Sequence, residues 1–264
     1  MNTHQTEALV IRNQDFGETD VLLTFLTRGA GKIRGILKSG RKSTSKMAGT
    51  CQALNRLNLT YYAKEHADLS KVIRVEMLES HDNIRSDLAR LAWSSFYLEM
   101  LLRSTAEHEA NEELFEAASF YLGVLEKAAS PEVRNLSLFH LIRLMQINGF
   151  APLMSQCVRC GKSRPLHRVR EQSVFYLDSR KGGVLCSSCR KKAPYAKDIH
   201  ELSPLGLIFL EKSMSLSPAE MEEELSREDS PKELLDYLVE HSKYQLETDF
   251  KSLKFLKAFT EGTY

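Results

Sequence analysis

The chain has 264 residues, of which 42% are hydrophobic and 27% are charged, and its formal net charge at pH 7 is +1. This length and apolar content allow two modest domains, each with a buried core. No apolar stretch reaches the roughly 18–20 residues that a membrane-spanning helix requires, and the polar residues 1–7 do not resemble a signal peptide. The composition therefore excludes a membrane protein, and we expect a soluble, cytoplasmic, nucleoid-associated protein.

The first 80 residues are predicted to form β structure. Short runs alternate between apolar and polar residues, and glycines separate two of them at positions 29–31. The runs lie at residues 7–12, 21–26, 32–37, 53–62 and 71–78. Five short strands of this kind are typical of a small barrel of the oligonucleotide-binding (OB) type. The pattern fits an SH3-like barrel as well.

A basic segment lies inside this predicted barrel, between residues 28 and 46. It contains no acidic residue, and its basic residues are Arg28, Lys32, Arg34, Lys38, Arg41, Lys42 and Lys46. A positively charged barrel groove with aromatic side chains binds single-stranded nucleic acid. Tyr61 and Tyr62 are candidate stacking residues, although one of two neighbouring strand residues must point inwards. A solvated loop is the alternative interpretation of the segment.

After residue 82 the apolar spacing changes to that of amphipathic helices, predicted over residues 84–103, 111–129 and 131–148. Four of the seven prolines follow a serine, a combination that starts helices. Three C-terminal helices are therefore predicted to begin near residues 204, 218 and 231. Ser217 with Glu220, and Ser230 with Glu233, have the spacing of a capping box.

Four of the five cysteines form two close pairs, Cys157 with Cys160 and Cys186 with Cys189. Two such pairs supply the four thiolates of a structural zinc site, which leaves no open position for catalysis. A disulfide or redox role is the alternative, but in a reducing compartment metal binding is favoured. The pairs lie within a predicted insertion at about residues 153–195, and Cys51 is expected to pack as a small apolar residue.

Motifs of enzymatic chemistry are incomplete in this sequence. Around Gly31 and Lys32 a phosphate-binding loop would need a glycine at position 26 and Ser or Thr at position 33, but Leu26 and Ile33 stand there. His108 and Glu109 do not begin the His-Glu-x-x-His motif of zinc proteases, because position 112, where the second histidine would be, is Glu112. We therefore expect a binding protein and not an enzyme; a nuclease would require cleavage that depends on a divalent metal.

Four segments together resemble the RecO family of recombination mediators. They are residues 8–20 (ALVIRNQDFGETD), 26–34 (LTRGAGKIR), 39–43 (SGRKS) and 148–152 (NGFAP), the last of which leads into Cys157 and Cys160. The resemblance covers most of residues 8–189 and is weak in the C-terminal 70 residues. It implies an α+β fold, with an N-terminal OB barrel at residues 1–80 and a helical domain at 81–264 that carries the zinc-binding insertion.

The resemblance also implies a function in DNA repair. Members of the family bind single- and double-stranded DNA, anneal complementary strands and, with RecR, help to load RecA on strands coated by single-strand-binding protein. The implied zinc ligands are Cys157, Cys160, Cys186 and Cys189, and the implied DNA-binding residues are Arg28, Lys32, Arg34, Lys38, Arg41 and Lys42. The tail of single-strand-binding protein would contact the third helix, for which the candidates are Arg134, Leu138 and Arg143, although Leu138 also fits an ordinary core position. A zinc-ribbon regulator or an RNA-binding protein is the alternative function.

Overall fold

The computed structural model describes residues 2–42, 45, 47–63, 68–163, 174–193, 196–218, 220 and 231–260. The chain forms two compact units. The first unit comprises Met1–Ala128 and Ser252–Tyr264, and the second comprises Ala129–Lys251. The first unit contains both the barrel and the helices that directly follow it, and the predicted domain boundary after residue 80 stays a prediction.

The first unit contains a closed five-stranded barrel with the strand order β1-β2-β3-β5-β4. The strands are β1 (Asn2–Phe16), β2 (Asp20–Thr27), β3 (Gly31–Leu37), β4 (Arg56–Ala63) and β5 (Ser70–Glu79). The N-terminal half of β1 pairs with β4 and the C-terminal half pairs with β2, and the β1–β2 register shifts between Val10 and Arg12. The predicted N-terminal barrel is therefore confirmed.

The barrel core follows from the alternation in the strands. On β4, Leu57, Leu59 and Tyr61 are buried in the core, while the residues between them are more exposed. Tyr61 therefore points inwards, which leaves the half-buried Tyr62 as the candidate for base stacking. Cys51 is fully buried in this core, and burial raises the pKa of its thiol to about 12.

The helices and the remaining strands complete the two units. The helices are α1 (Asp82–Ser86), α2 (Leu88–Ser104), α3 (Glu112–Lys127), α4 (Val133–Ile147), α5 (Ser187–Lys191), α6 (Pro204–Ser215), α7 (Lys232–Leu246) and α8 (Leu253–Thr260). The predicted helix at 84–103 is interrupted at Asp87, whose extended backbone and side chain cap α2 through the amide of Arg90. Among the described residues, no helix combines the length and apolar character needed to cross a membrane.

The second unit carries a small sheet between its helices. Strands β6 (Phe175–Asp178), β7 (Gly183–Leu185) and β8 (Ile199–Leu202) form it in the antiparallel order β7-β6-β8. Ser203 caps α6 as predicted, because its hydroxyl accepts a hydrogen bond from the amide of Gly206. Ser130 begins a short 3₁₀ turn ahead of α4. Ser230 lies outside the described residues.

Candidate metal centre and nucleic-acid interface

The four paired cysteines converge in the second unit. The Sγ atoms of Cys157, Cys160, Cys186 and Cys189 all lie within 4.8 Å of one another, and those of Cys160 and Cys186 are 3.7 Å apart. In a tetrahedral zinc–thiolate site with Zn–S bonds of about 2.3 Å, geometry places the sulfur atoms about 3.8 Å apart. The thiols are therefore spaced as a metal ion requires, and no disulfide joins them.

Local backbone structure explains why the first pair converges. The amide of Gly161 donates to the carbonyl of Cys157 over 2.8 Å, and the amide of Cys157 donates to the carbonyl of Lys162 over 2.9 Å. These bonds close a tight turn, in which Gly161 adopts a positive φ of 71° that glycine tolerates without a steric penalty. Both cysteines of the pair are thereby presented from one turn.

The second pair is held where β7 meets α5. Cys186 is the residue before α5, and its carbonyl accepts a hydrogen bond from the amide of Arg190. A further bond, from the amide of Val158 to the carbonyl of Val184, joins the first turn to β7 over 3.0 Å. The small sheet thus fixes the two pairs against each other.

The chemistry of Cys157 suits a thiolate ligand. Burial opposes its ionisation, but backbone hydrogen bonds at Cys186, Arg159 and Cys160 outweigh this effect and lower its pKa to about 6. A thiolate is the form of cysteine that binds metals. The pKa of Cys189 is raised to about 12 by hydrogen bonds with the neighbouring cysteines, so the close spacing of the four sulfur atoms is what makes the cluster able to hold a metal ion.

Two arginines of the basic stretch around these cysteines have structural contacts. Arg159 pairs with the buried Asp178, with Nη2 3.0 Å from Oδ2, and this contact ties the first turn to β6. Arg190 lies over the ring of Tyr176, with its guanidinium carbon 5.1 Å from the ring centroid. Residues 164–173, which hold three more of the basic residues, lie outside the described part of the chain.

In the barrel, half of the predicted DNA-binding residues bind other parts of the first unit. Arg28 contacts Glu7, Glu112 and Glu116, and its guanidinium lies over the ring of Phe115 at 5.1 Å. Acidic residues that are distant in the sequence thus compensate a segment that contains none itself.

Lys32 and Arg34 also bind the segment that follows α2. Lys32 is 9% exposed, and its ammonium donates to the carbonyl of Leu102 over 2.8 Å, while burial lowers its pKa. Arg34 forms an ion pair with Glu107 at 3.1 Å. Because the ammonium of Lys32 is buried and hydrogen-bonded, we do not include Lys32 in the proposed DNA interface, and its role in DNA binding stays a prediction.

The other three predicted residues lie together at one end of the barrel. We call residues 16–20 and 38–42 the paired turns, because the amide of Arg41 donates to the carbonyl of Thr19 over 2.9 Å. Lys38 pairs with Asp20 at 2.7 Å, and this hydrogen bond lowers the pKa of Asp20. Arg41 lies 3.3 Å from Asp15 and remains 42% exposed. Lys42 is exposed, and no acidic side chain of the described residues pairs with it.

The paired turns also contain an aromatic residue that our sequence analysis did not select. Phe16 ends β1 and is 40% exposed, and the carbonyls of the next two residues, Gly17 and Glu18, accept hydrogen bonds from Arg41. An exposed phenylalanine beside exposed cations is a composition that single-strand-binding surfaces use. Its position at a strand end, next to a glycine turn, was the available signal.

The three candidates on α4 differ in exposure. Leu138 is fully buried in the second unit, which fits the core position that its sequence context also allowed, and its role in partner binding stays a prediction. Arg134 is half-buried and donates to the carbonyl of Pro231 over 3.2 Å. Arg143 is also half-buried. Of these three candidates, only the two arginines have polar side chains near the surface of the helix.

Comparison with known proteins identifies the family of the chain. The family model "Recombination protein O N terminal" matches residues 1–81, and "Recombination protein O C terminal" matches residues 85–254. A protein of Thermoanaerobacter sp. named DNA repair protein RecO is 26% identical over 97% of this chain and 98% of its own length. A protein of Anaeromyxobacter sp. with the same name is 33% identical over 70% of each chain. With a barrel, a helical part and a four-cysteine cluster in the expected order, the chain belongs to the RecO family of DNA repair proteins.

Proposed function

We propose that the protein binds single- and double-stranded DNA through the paired turns and anneals complementary strands without bond chemistry. The observation that carries this proposal is the clustering of Phe16, Lys38, Arg41 and Lys42 at one end of a barrel of the OB type. Cations contact phosphates, which orders the backbone but carries little sequence information. Binding that tolerates any sequence is what annealing of arbitrary strands requires.

Neutralisation of charge explains how such a surface promotes annealing. Two strands repel each other because every phosphate is charged, and a cationic surface that binds both lowers this repulsion. The acidic partners of Lys38 and Arg41 hold these side chains near the surface in the free protein. Phosphates compete for the same exposed groups, since exposed ion pairs are worth only about 0–1 kcal/mol.

The double variant Arg41→Ala/Lys42→Ala tests the paired turns. On single strands each neutralised phosphate contributes a slope of about −0.7 to the dependence of log K on log salt, so loss of two contacts should make the slope shallower by about 1.4. Affinity should fall alike for all base sequences, and strand annealing should slow. Fluorescence anisotropy at several salt concentrations and a strand-annealing assay, with and without single-strand-binding protein, measure these changes.

A matched control removes the same charge elsewhere in the first unit. Lys127 and Lys254 are exposed residues on α3 and α8, and their joint replacement by alanine should leave the slope and the annealing rate unchanged. Equal losses in both double variants would indicate a diffuse charge effect. An unchanged slope in Arg41→Ala/Lys42→Ala would show that the paired turns lie outside the DNA footprint.

The variant Phe16→Ala tests the aromatic part of the interface. Stacking of one base on an aromatic side chain contributes about 1–3 kcal/mol, so single-strand affinity should fall by about 5-fold to 150-fold. Duplex affinity should change much less, because paired bases are already stacked. Phe16→Tyr keeps a ring and should retain single-strand affinity; equal weakening of both DNA forms by Phe16→Ala would argue against stacking.

We infer that the four clustered cysteines hold a structural zinc ion. Cys157, Cys160, Cys186 and Cys189 would each supply one thiolate, and such a shell stabilises the fold without activating water. The spacing of the four sulfur atoms supports this inference. The metal would join the tight turn at residues 157–161 to the start of α5.

The family relationship supports further partners for the same DNA-repair role. We propose that the protein acts in the cytoplasm with RecR, contacts the acidic tail of single-strand-binding protein near Arg134 and Arg143 of α4, and so helps to load RecA. In this role the protein binds and positions nucleic acid and catalyses no reaction. An RNA-binding function is the alternative, and a clear preference for RNA over DNA in the same anisotropy assay would favour it.

A further inference from the structure

The barrel is closed between β3 and β5 by a short contact that leaves most of one edge of β5 unpaired. Strand β5 pairs with β4 from Lys71 to Glu79, but on its other side it pairs with β3 only at Ser70 and Lys71. Within the described part of the chain, no strand pairs with this second edge beyond Lys71. An edge strand of this kind presents unpaired backbone N–H and C=O groups, which can pair with another chain.

The side chains of this edge are unusually apolar for an exposed strand. Ile73 is 45% exposed, Met77 is 43% exposed and Leu78 is 41% exposed. The side chains of Arg74 and Glu76, which pair with each other on the same strand, are 71% and 48% exposed. Contiguous exposed apolar residues with a polar rim are typical of protein interfaces.

The sequence of β5 is complementary to itself in the antiparallel direction. A twofold axis at Val75 places residues 73, 74, 76 and 77 opposite residues of suitable chemistry on a second copy. The opposed pairs are Ile73 with Met77 and Arg74 with Glu76, while Lys71 is already paired with β3 and Val72 is buried in the barrel core. Opposite charges and matched apolar side chains are the pairs that stabilise adjacent antiparallel strands.

We propose that the exposed edge of β5 pairs with β5 of a second copy of this chain, forming a twofold symmetric dimer. Such an interface uses the same surface on both copies, which requires the self-complementarity that β5 has. Two register shifts in the pairing with β4, near Ile73 and Leu78, leave residues 74–77 as the regular centre of the contact. Because this centre is short, the dimer should be weak and should depend on protein concentration.

Charge reversal tests the proposed register. In Arg74→Glu, each new carboxylate would lie opposite Glu76 of the second copy, and in Glu76→Arg two arginines would lie opposite each other. Each single variant should raise the dimer dissociation constant by about tenfold or more, because like charges directly opposite destabilise paired strands. Sedimentation velocity of the full chain without DNA, over a range of concentrations, measures the constant.

Two complementary experiments separate the register from general charge effects. An equimolar mixture of Arg74→Glu and Glu76→Arg chains should form heterodimers, and the double variant Arg74→Glu/Glu76→Arg should dimerise as the original chain does. Lys127→Glu, the same change of charge at an exposed site on α3, should leave dimerisation unchanged. Fluorescence of Trp93, the sole tryptophan, which is buried in α2, checks that each variant keeps its fold.

Three outcomes would overturn the proposal. The first is that the original chain remains monomeric up to its solubility limit. The second is that the single variants dimerise with an unchanged dissociation constant. The third is that the double variant dimerises as weakly as the single variants. The assay contains no nucleic acid, so these outcomes are independent of DNA binding. If the dissociation constant does not depend on the charges at residues 74 and 76, the dimer uses a different surface.

Discussion

Replacement of Cys157 by serine is expected to abolish stable metal binding and to destabilise the second unit strongly. Cys157 is the most buried of the four clustered thiols, with 3% exposure, and backbone hydrogen bonds favour its thiolate. Apparent binding free energies of structural zinc reach about 10–16 kcal/mol in small zinc domains at pH 7. Metal analysis of the purified variant should show a zinc content that falls from one ion per chain to a small fraction. Circular dichroism should show unfolding at a lower temperature than in the original chain.

The fifth cysteine supplies the control for this experiment. Cys51 lies in the barrel core of the first unit, apart from the metal cluster, so Cys51→Ala should keep a full equivalent of metal even if it costs some stability. A chelator should reproduce the effect of Cys157→Ser in the original chain. A full zinc equivalent in Cys157→Ser would contradict the four-cysteine site.

The second large effect is expected from Gly31→Ala at the start of β3. Gly31 has a φ of +67°, and a methyl group there would lie 2.1 Å from the backbone oxygen of Glu109. The left-handed conformation costs a non-glycine residue about 1–2 kcal/mol. The overlap with Glu109 adds about 1–3 kcal/mol. The total loss of about 2–5 kcal/mol should appear as a lower urea midpoint of Trp93 fluorescence.

Gly17 separates these two contributions. It has nearly the same backbone conformation, with φ +62°, but an added Cβ would meet no atom within 4 Å. Gly17→Ala should therefore show the conformational cost alone, and the difference between the two variants reports the clash with the segment after α2. If both variants lose the same stability, the close approach of Glu109 to β3 is not present in solution.

The sequence was most informative where local rules suffice. Alternation in the first 80 residues predicted five strands because one face of each must enter a core, and the burial of Leu57, Leu59 and Tyr61 follows this rule. The spacing of the cysteine pairs predicted their convergence, because each pair can reach one ion from one turn. The Ser203–Pro204 start of α6 likewise depends only on neighbouring residues.

Contacts between residues that are distant in the sequence could not be predicted. The segment at 28–46 contains no acid, yet Glu112 and Glu116 lie against Arg28, and the carbonyl of Leu102 binds Lys32. Leu138 was a candidate contact for single-strand-binding protein, and it is buried because α4 packs with more than one of its faces. Counting charges along the chain cannot reveal such compensation.

The sequence by itself determined the barrel strands, the start of α6 and the identity of the four thiols, because these depend on periodicity, capping and short spacing. Only the tertiary structure decided which cations face solvent, that Arg41 binds the carbonyl of Gly17 next to Phe16, and that β5 keeps an unpaired edge beyond Lys71. The physical reason is that exposure and strand pairing depend on which remote segments fold against a residue. Those contacts are set by the free energy of the whole unit and not by the neighbouring residues in the sequence.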